Sequence, residues 1–337
     1  MKAVPISRKK LPELVCPAGT PGALHVAVDA GADVVYCGFR NETNARNFPG
    51  LNFSRDEMAA GIAYARARGA KVYVTVNTFP QPGNIPLWKK AVDDVASLEA
   101  DAVIVADMGL AAYAAEKHPG LRLHLSVQAS ASNEDAIRYY CESFNVKRVV
   151  LPRVLTVPEI AALNPVIPCE TEIFAFGGLC VMAEGRCFLS SYATGKSPNV
   201  GGACSPASHV RYMQEKDGAM ASKLGDFTIN RFAKGEAAGY PTLCKGRYRL
   251  NGQASYIFEE PTSLNALFML PDLLKSGVSA LKIEGRQRGR AYIEAVVSAF
   301  RQALSDYSRG RTVKTDTLMR LAEGGQSTEG VYKKTWR

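Results

Sequence analysis

An α/β fold of the TIM-barrel, (β/α)8 type is what the sequence predicts, on three observations. Eight short runs rich in Val, Ile and aromatic residues are spaced along the chain. Most are followed by a helical apolar pattern, the alternation that builds a parallel sheet covered by helices. A doubly wound sheet would stop at roughly five to seven strands and would place G-x-G-x-x-G after the first; here CPAGTPG has no such pattern.

LVCPAG is the first run, and GTPGALHVAVDAGA after it spaces apolar residues for a helix that Gly31 stops. VVYCGF is second and TNARNFPGLNF a loop, after which Ser54 caps a helix through Arg68, with Gly69 just past its end. KVYVTVN, third, leads through a Pro-rich loop to a helix from Pro86 to Leu98, and AVIVAD, fourth, to a helix from Gly109 to Lys117. LHLSVQA, fifth, precedes a helix from Asn133 to Phe144, and RVVLPR, sixth, a short one capped by Thr156. TEIFAFG is seventh. The rhythm then breaks, and resumes with a helix from Asn265 to Ser276, the eighth run SALKIEG and a helix from Arg290 to Ser305. The barrel therefore spans 11–308 and carries an insertion, 178–264, between strands seven and eight; 309–337 reads as a C-terminal basic tail.

With 337 residues the chain buries a core without needing disulfides. MKAVPISRKKLPEL lacks an apolar h-region, so no signal peptide is expected. The best apolar run, AVIVADMGLAAYAA, carries Asp107 and is too short for a membrane span. A cytoplasmic location is expected, where the eight cysteines stay reduced. The net charge of +9 is scattered, with short basic runs only at Arg8 to Lys10, Lys282 to Arg290 and the tail. It reads as a solvated surface, and no stable nucleic-acid partner is expected. The lack of H-E-x-x-H and G-x-S-x-G disfavours zinc-protease and serine-hydrolase chemistry. His25 and His118 read as packing or capping residues.

Cys180, Cys187, Cys204 and Cys244 lie within the insertion, separated by 6, 16 and 39 residues in Gly-rich loops. Four thiolates leave water only when something neutralises them, and a metal centre is the usual neutraliser. An iron–sulfur cluster, a structural zinc and ordinary buried cysteines are the three readings. Zinc sites bring ligands as tight C-x2–4-C pairs, and the wide spacing here suits a cluster better. Cys16, Cys37, Cys141 and Cys169 read as core residues, with Cys37, near a barrel mouth, the first exception to consider.

Period-two alternation turns Tyr73, Thr75 and Asn77 of the third run into the lumen, with His124, Ser126 and Gln128 of the fifth and Lys282 and Glu284 of the eighth. Asp107 and Arg153 end their strands. Asn77, Gln128, Arg153, Lys282 and Glu284 are thus candidate substrate-binding residues. They suit a polar, anionic organic molecule, with Arg153 and Lys282 as charge partners and Arg46 and Arg286 able to join them. The alternative is a structural network that satisfies itself. No residue is assigned a catalytic role.

ELVCPAG, TNARNFPGLNF, VVLPRVL, FGGLCVMAEGRCFLSSYATGKSPN, GACSPA, GYPTLCKGRY, EEPTSLN and LKIEGRQR together resemble the collagenase-like peptidase family, and within it the members of oxygen-independent ubiquinone biosynthesis. The resemblance runs from Leu11 over almost the whole chain. It implies a [4Fe-4S] cluster on Cys180, Cys187, Cys204 and Cys244 and a heterodimer with a UbiV-like sister protein. It further implies O2-independent hydroxylation of the aromatic ring of ubiquinone precursors, with prephenate as oxygen donor. Peptidase activity has no nucleophile–base pair to support it. Two alternatives stand beside this one. An RNA-base hydroxylase of the same family would be expected to carry added RNA-binding modules and a concentrated basic face. A noncatalytic iron–sulfur subunit would only position a partner or pass electrons.

Overall fold

The computed structural model describes residues 11–316 and 318–333; the basic run Arg8 to Lys10 and the last four residues of the expected tail lie outside the described residues. Along the chain β1 (Glu13–Pro17), α1 (Pro21–Asp29), β2 (Val34–Gly38), α2 (Arg55–Arg66), β3 (Lys71–Val76), α3 (Ile85–Ser97), β4 (Ala102–Val105), α4 (Met108–Lys117), β5 (Leu123–Leu125), α5 (Glu134–Phe144), β6 (Val146–Val150), α6 (Val157–Leu163) and β7 (Glu170–Gly178) make the expected alternation. The insertion holds α7 (Leu189–Thr194), α8 (Pro198–Gly201), an antiparallel sheet of β8 (Val210–Gln214), β9 (Met220–Leu224) and β10 (Phe227–Phe232), and a hairpin of β11 (Arg247–Leu250) and β12 (Gln253–Tyr256). β13 (Ser263–Asn265), α9 (Leu270–Lys275), β14 (Ala280–Ile283), α10 (Arg290–Ser308) and β15 (Ser327–Thr328) follow. β1 to β7 pair in parallel in chain order, and β14 pairs with both β1 and β7, so the barrel closes at eight strands.

Two apolar layers hold it. Alternate strand residues such as Val72, Val74, Leu123 and Leu125 pack outward among the helices, while Val15, Val34, Tyr36, Tyr73, Ala102, Ile104 and Ala280 form a separate inner cluster, the two-sided burial that a parallel barrel requires. The helix starts follow their capping residues: Ser54 and Glu57 form a capping box on α2, and Asn133 and Thr156 cap α5 and α6. Asp107, the charge inside the longest apolar run, caps α4 by accepting from the Leu110 amide at 2.9 Å.

Two segments differ from expectation. The fifth strand ends at Leu125, because the Ser126 hydroxyl accepts from the Gln128 amide and nucleates a 3-10 turn over Val127–Ala129 that closes on left-handed Ser130. Alternation therefore no longer governs where Gln128 points. The helix expected from Asn265 starts later, since Ser263–Asn265 pairs antiparallel with the end of β7, and Pro271 is tolerated only in a helix's first turn. Past Ser308 the chain returns to the barrel: β15 adds parallel to β13, and the buried Tyr332 hydroxyl donates to the Phe174 carbonyl at 2.6 Å. Among the described residues no helix is long and apolar enough to cross a membrane.

Candidate metal centre at the barrel mouth

β7 leaves the barrel through Gly177, whose φ of +120° and position against the Glu284 backbone leave no room for a Cβ, 2.5 Å from that carbonyl oxygen. The Gly178 amide donates to Glu284 Oε2 at 3.0 Å. The chain is thereby aimed over the mouth, and Cys180 follows two residues later.

Three further contacts pin the insertion to the barrel loops. A Cβ on Gly185 would lie 1.8 Å from the Gln128 carbonyl oxygen, and one on Gly202 2.6 Å from the Ala45 Cα, so both glycines mark direct backbone-on-backbone approach. The backbone amide and Nη1 of Arg46 donate to the Gly202 carbonyl at 3.2 and 2.8 Å. Arg153 Nε donates to Glu184 at 2.7 Å and its Nη1 to the Gly178 carbonyl at 2.5 Å. The Arg153 guanidinium lies 4.0 Å from the Phe174 ring centroid.

The four cysteines of the insertion are free thiols. Cys180, half-buried, donates to the Met182 carbonyl at 3.2 Å; burial and the Glu184 charge push its thiol up to about 12, against the opposing pull of Arg153. Burial raises Cys187, and Cys204 adds to it. Cys244 is pushed up to about 11, first by burial and then by Cys204. Cys204 thus acts electrostatically on Cys187 and Cys244, and Cys244 on Cys180. Hydrogen bonds from Ser205 Oγ to the Pro241 carbonyl (2.6 Å) and from the Tyr240 hydroxyl to the Ser205 carbonyl (3.0 Å) tie the Cys204 loop to the Cys244 loop. Among the described residues no three His, Cys, Asp or Glu side chains close around a point as a single metal ion would require. The donor set is all-thiol, and it does not converge as a mononuclear zinc site does, whose ligands stand about 2.0–2.3 Å from the ion. A four-iron cluster takes one thiolate at each iron, and in donor type these four cysteines fit that requirement.

The lumen residues separate into two groups. Lys282 turns inward as alternation predicts, but its Nζ is bound to Glu172 at 2.6 Å and lies 3.8 Å from the Tyr36 ring centroid. Arg148 meets Glu172, Glu13 and Glu170 at 3.3, 2.7 and 2.6 Å. Lys282 therefore belongs to a buried network within the barrel and its charge is already compensated; it is not a free cation at the mouth. Glu284, one residue past β14, does stand at the mouth and faces Arg46 Nε at 3.8 Å. Asn77 Oδ1 accepts from the Ala45 amide at 3.0 Å and its Nδ2 faces Ser126 Oγ at 3.5 Å. Gln128 reaches the mouth through its 3-10 turn, with a buried Oε1 that has no partner among the described residues. The mouth thus gathers Asn77, Gln128, Arg153 and Glu284, while Lys282 lies deeper. Sequence reading missed Glu172, Arg148 and Glu184; the period-two alternation applied to TEIFAFG and RVVLPR would have found the first two.

The network sets an acid limit on stability. Burial pushes the Glu13 carboxyl up, but the Lys71 hydrogen bond and the Arg148 charge outweigh it and hold Glu13 at about 2, below the ordinary 4.5. Its contribution is complete above the ordinary value and is lost as pH falls from there toward 2. Melting followed by circular dichroism is expected to lose midpoint temperature across that window, and Glu13→Gln to flatten the loss.

Two grooves lie outside the lumen, one on the barrel and one on the insertion. One, of 540 Å³, opens on the other end of the barrel beside Arg122, Lys147 and Glu170. The second, of 210 Å³, is apolar and lies on the insertion between Leu189, Tyr192, Phe227, Leu243, Tyr248 and Phe258, with Leu189 two residues from Cys187 and Leu243 adjoining Cys244.

Fold and site together define a closed parallel barrel roofed by a thiol-bearing insertion. The chain belongs to peptidase family U32, whose model matches residues 19–333. It is 32% identical to the tRNA hydroxylation protein P of Escherichia coli (strain K12), over 96% of this chain and 75% of that protein. Identity to the tRNA hydroxylation protein P1 of Bacillus subtilis (strain 168) is 30%, over 88% of this chain and 64% of that one. The Escherichia coli (strain K12) 23S rRNA 5-hydroxycytidine C2501 synthase is 27% identical over 87% of this chain and 39% of its own length.

Proposed function

We propose that this chain is the UbiU-like, [4Fe-4S]-bearing subunit of an O2-independent hydroxylase. With a UbiV-like partner it acts on the aromatic ring of ubiquinone precursors and takes oxygen from prephenate. The observation that carries the reading is the all-thiol set Cys180, Cys187, Cys204 and Cys244 on an insertion seated over the barrel mouth, with the Cys204 and Cys244 loops hydrogen-bonded to each other, in motifs that resemble those of the ubiquinone-pathway members. The hydroxylation names of the family relatives support the reaction class.

These four cysteines would hold the cluster. When bound it supplies a redox centre whose potential is set by burial and by hydrogen bonds to the sulfurs. The chain's own residues do the rest. The Arg153–Glu184 pair and the Gly185 and Gly202 contacts seat the insertion on the mouth. The arginines there supply positive charge to an anionic donor. The apolar groove beside Cys187 and Cys244 suits the hydrocarbon part of a quinone precursor.

A second reading, hydroxylation of an RNA base, is favoured by the tRNA and rRNA names of the same relatives. Anaerobic assays of the iron-loaded chain with its partner, given prephenate and either a polyprenyl-phenol precursor or unmodified tRNA, separate the two. Hydroxylated precursor with unchanged tRNA is the expected result; hydroxylated tRNA with unchanged precursor would establish the second reading instead.

A further inference from the structure

The cations at the mouth are not equally available. Lys282 is neutralised by Glu172 and Arg153 by Glu184, each at hydrogen-bonding distance. Arg286 differs: only 6% exposed, it spends Nη1 on Asn44 Oδ1 and Thr75 Oγ1 and Nη2 on the Ala45 carbonyl, all neutral oxygens. Among the described residues no carboxylate lies within ion-pair distance of it; the Tyr36 ring centroid stands 5.6 Å from its guanidinium, and the Glu284 charge acts on it only from beyond ion-pair distance. A buried charge with no directly paired counter-charge is costly unless a ligand supplies one.

Arg46, next to Ala45, carries a second anomaly. Its φ is +72°, a conformation that a long L side chain rarely takes. Contacts on every side hold it there. The Ala45 amide donates to Asn77, the Ala45 carbonyl accepts from Arg286, the Arg46 carbonyl accepts from Asn52 Nδ2 at 3.1 Å, and the Arg46 amide donates to Gly202. Strain over-determined in this way clusters at ligand clamps. The Arg46 side chain stays 29% exposed, and the carboxylate that faces it among the described residues, Glu284, stands at 3.8 Å, beyond hydrogen-bonding distance.

We propose that Arg46 and Arg286 form the carboxylate-binding pair of the mouth, in place of Arg153 and Lys282, and that they take one carboxylate of an organic acid. Arg46 meets the ligand from the solvent side and Arg286 supplies the buried charge. The assignment rests on the mouth being the site of the anionic donor; it does not depend on whether the acceptor is a quinone precursor or an RNA base.

Anaerobic calorimetric titration of prephenate into the iron-loaded chain with its partner tests it, alongside phenylpyruvate, which has a single carboxylate. Wild-type protein is expected to bind prephenate with salt-sensitive affinity. Arg46→Ala is expected to weaken binding roughly tenfold or more. Arg286→Lys keeps the charge but loses the planar fork, and is expected to weaken it as well. Thermal melts establish that each variant is folded; should Arg286→Lys not fold, Arg46→Ala decides alone. Wild-type affinity in the folded variants, or no binding of either acid by wild-type protein, overturns the assignment. Binding that depends on both arginines without hydroxylation of any precursor keeps the pair and sinks the hydroxylase reading.

Discussion

A Glu172→Ala variant is expected to lose about 3–5 kcal/mol of stability, the cost of removing one partner from a buried ion network. Glu172 has no solvent exposure and is the carboxylate shared by Lys282 and Arg148. Arg148 keeps Glu13 and Glu170 when it goes, but Lys282 has no other ion-pair partner among the described residues. Lys282 would then be a buried ammonium held only by the Tyr36 ring, and burial already pulls its pKa down. Against a typical total of about 5–15 kcal/mol this is a large share. Urea titration measures it. A double variant, Glu172→Leu with Lys282→Met, is expected to recover much of the loss, because both charges leave together; no recovery would mean that the network matters for more than charge balance.

The second large effect falls on the cysteines. Cys180→Ser and Cys244→Ser are each expected to lose most of the bound iron and at least about 100-fold in hydroxylation, since even partners outside the ligand shell cost about 10–100-fold in affinity or activity. Cys37→Ala provides the contrast. Its thiol is buried 3.4 Å from Met58 Sδ, and burial pushes it up to about 12, so it is inert packing and its loss leaves iron content unchanged. Iron analysis of the anaerobically purified variants distinguishes the two groups.

Much of this architecture was legible before any coordinates. Strand count, capping residues and turn glycines carry local information: β1 to β7 and β14 fall on the expected runs, α2, α5 and α6 start just after Ser54, Asn133 and Thr156, and α1 ends just before Gly31. The insertion was not resolved into elements, although its turns carried a readable signal. Asn251–Gly252 joins β11 to β12 with both residues at positive φ, and Asp217–Gly218 lies between β8 and β9. Pairing partners were beyond reach for a different reason. Alternation shows that Lys282 points inward, but only the closed register brings Glu172 of β7 to it. Likewise the charge of Arg153 is spent on Glu184, a residue inside the insertion that no periodicity connects to β6. Sequence finds candidate cations; the fold decides which remain unpaired.

The central claim is that Cys180, Cys187, Cys204 and Cys244 hold one four-iron centre above the barrel. Iron and acid-labile sulfide counted in the anaerobically purified chain test it most directly. About four of each per chain, with the broad visible absorbance of a brown protein, is the expected result. A colourless preparation with a single zinc and no sulfide contradicts it.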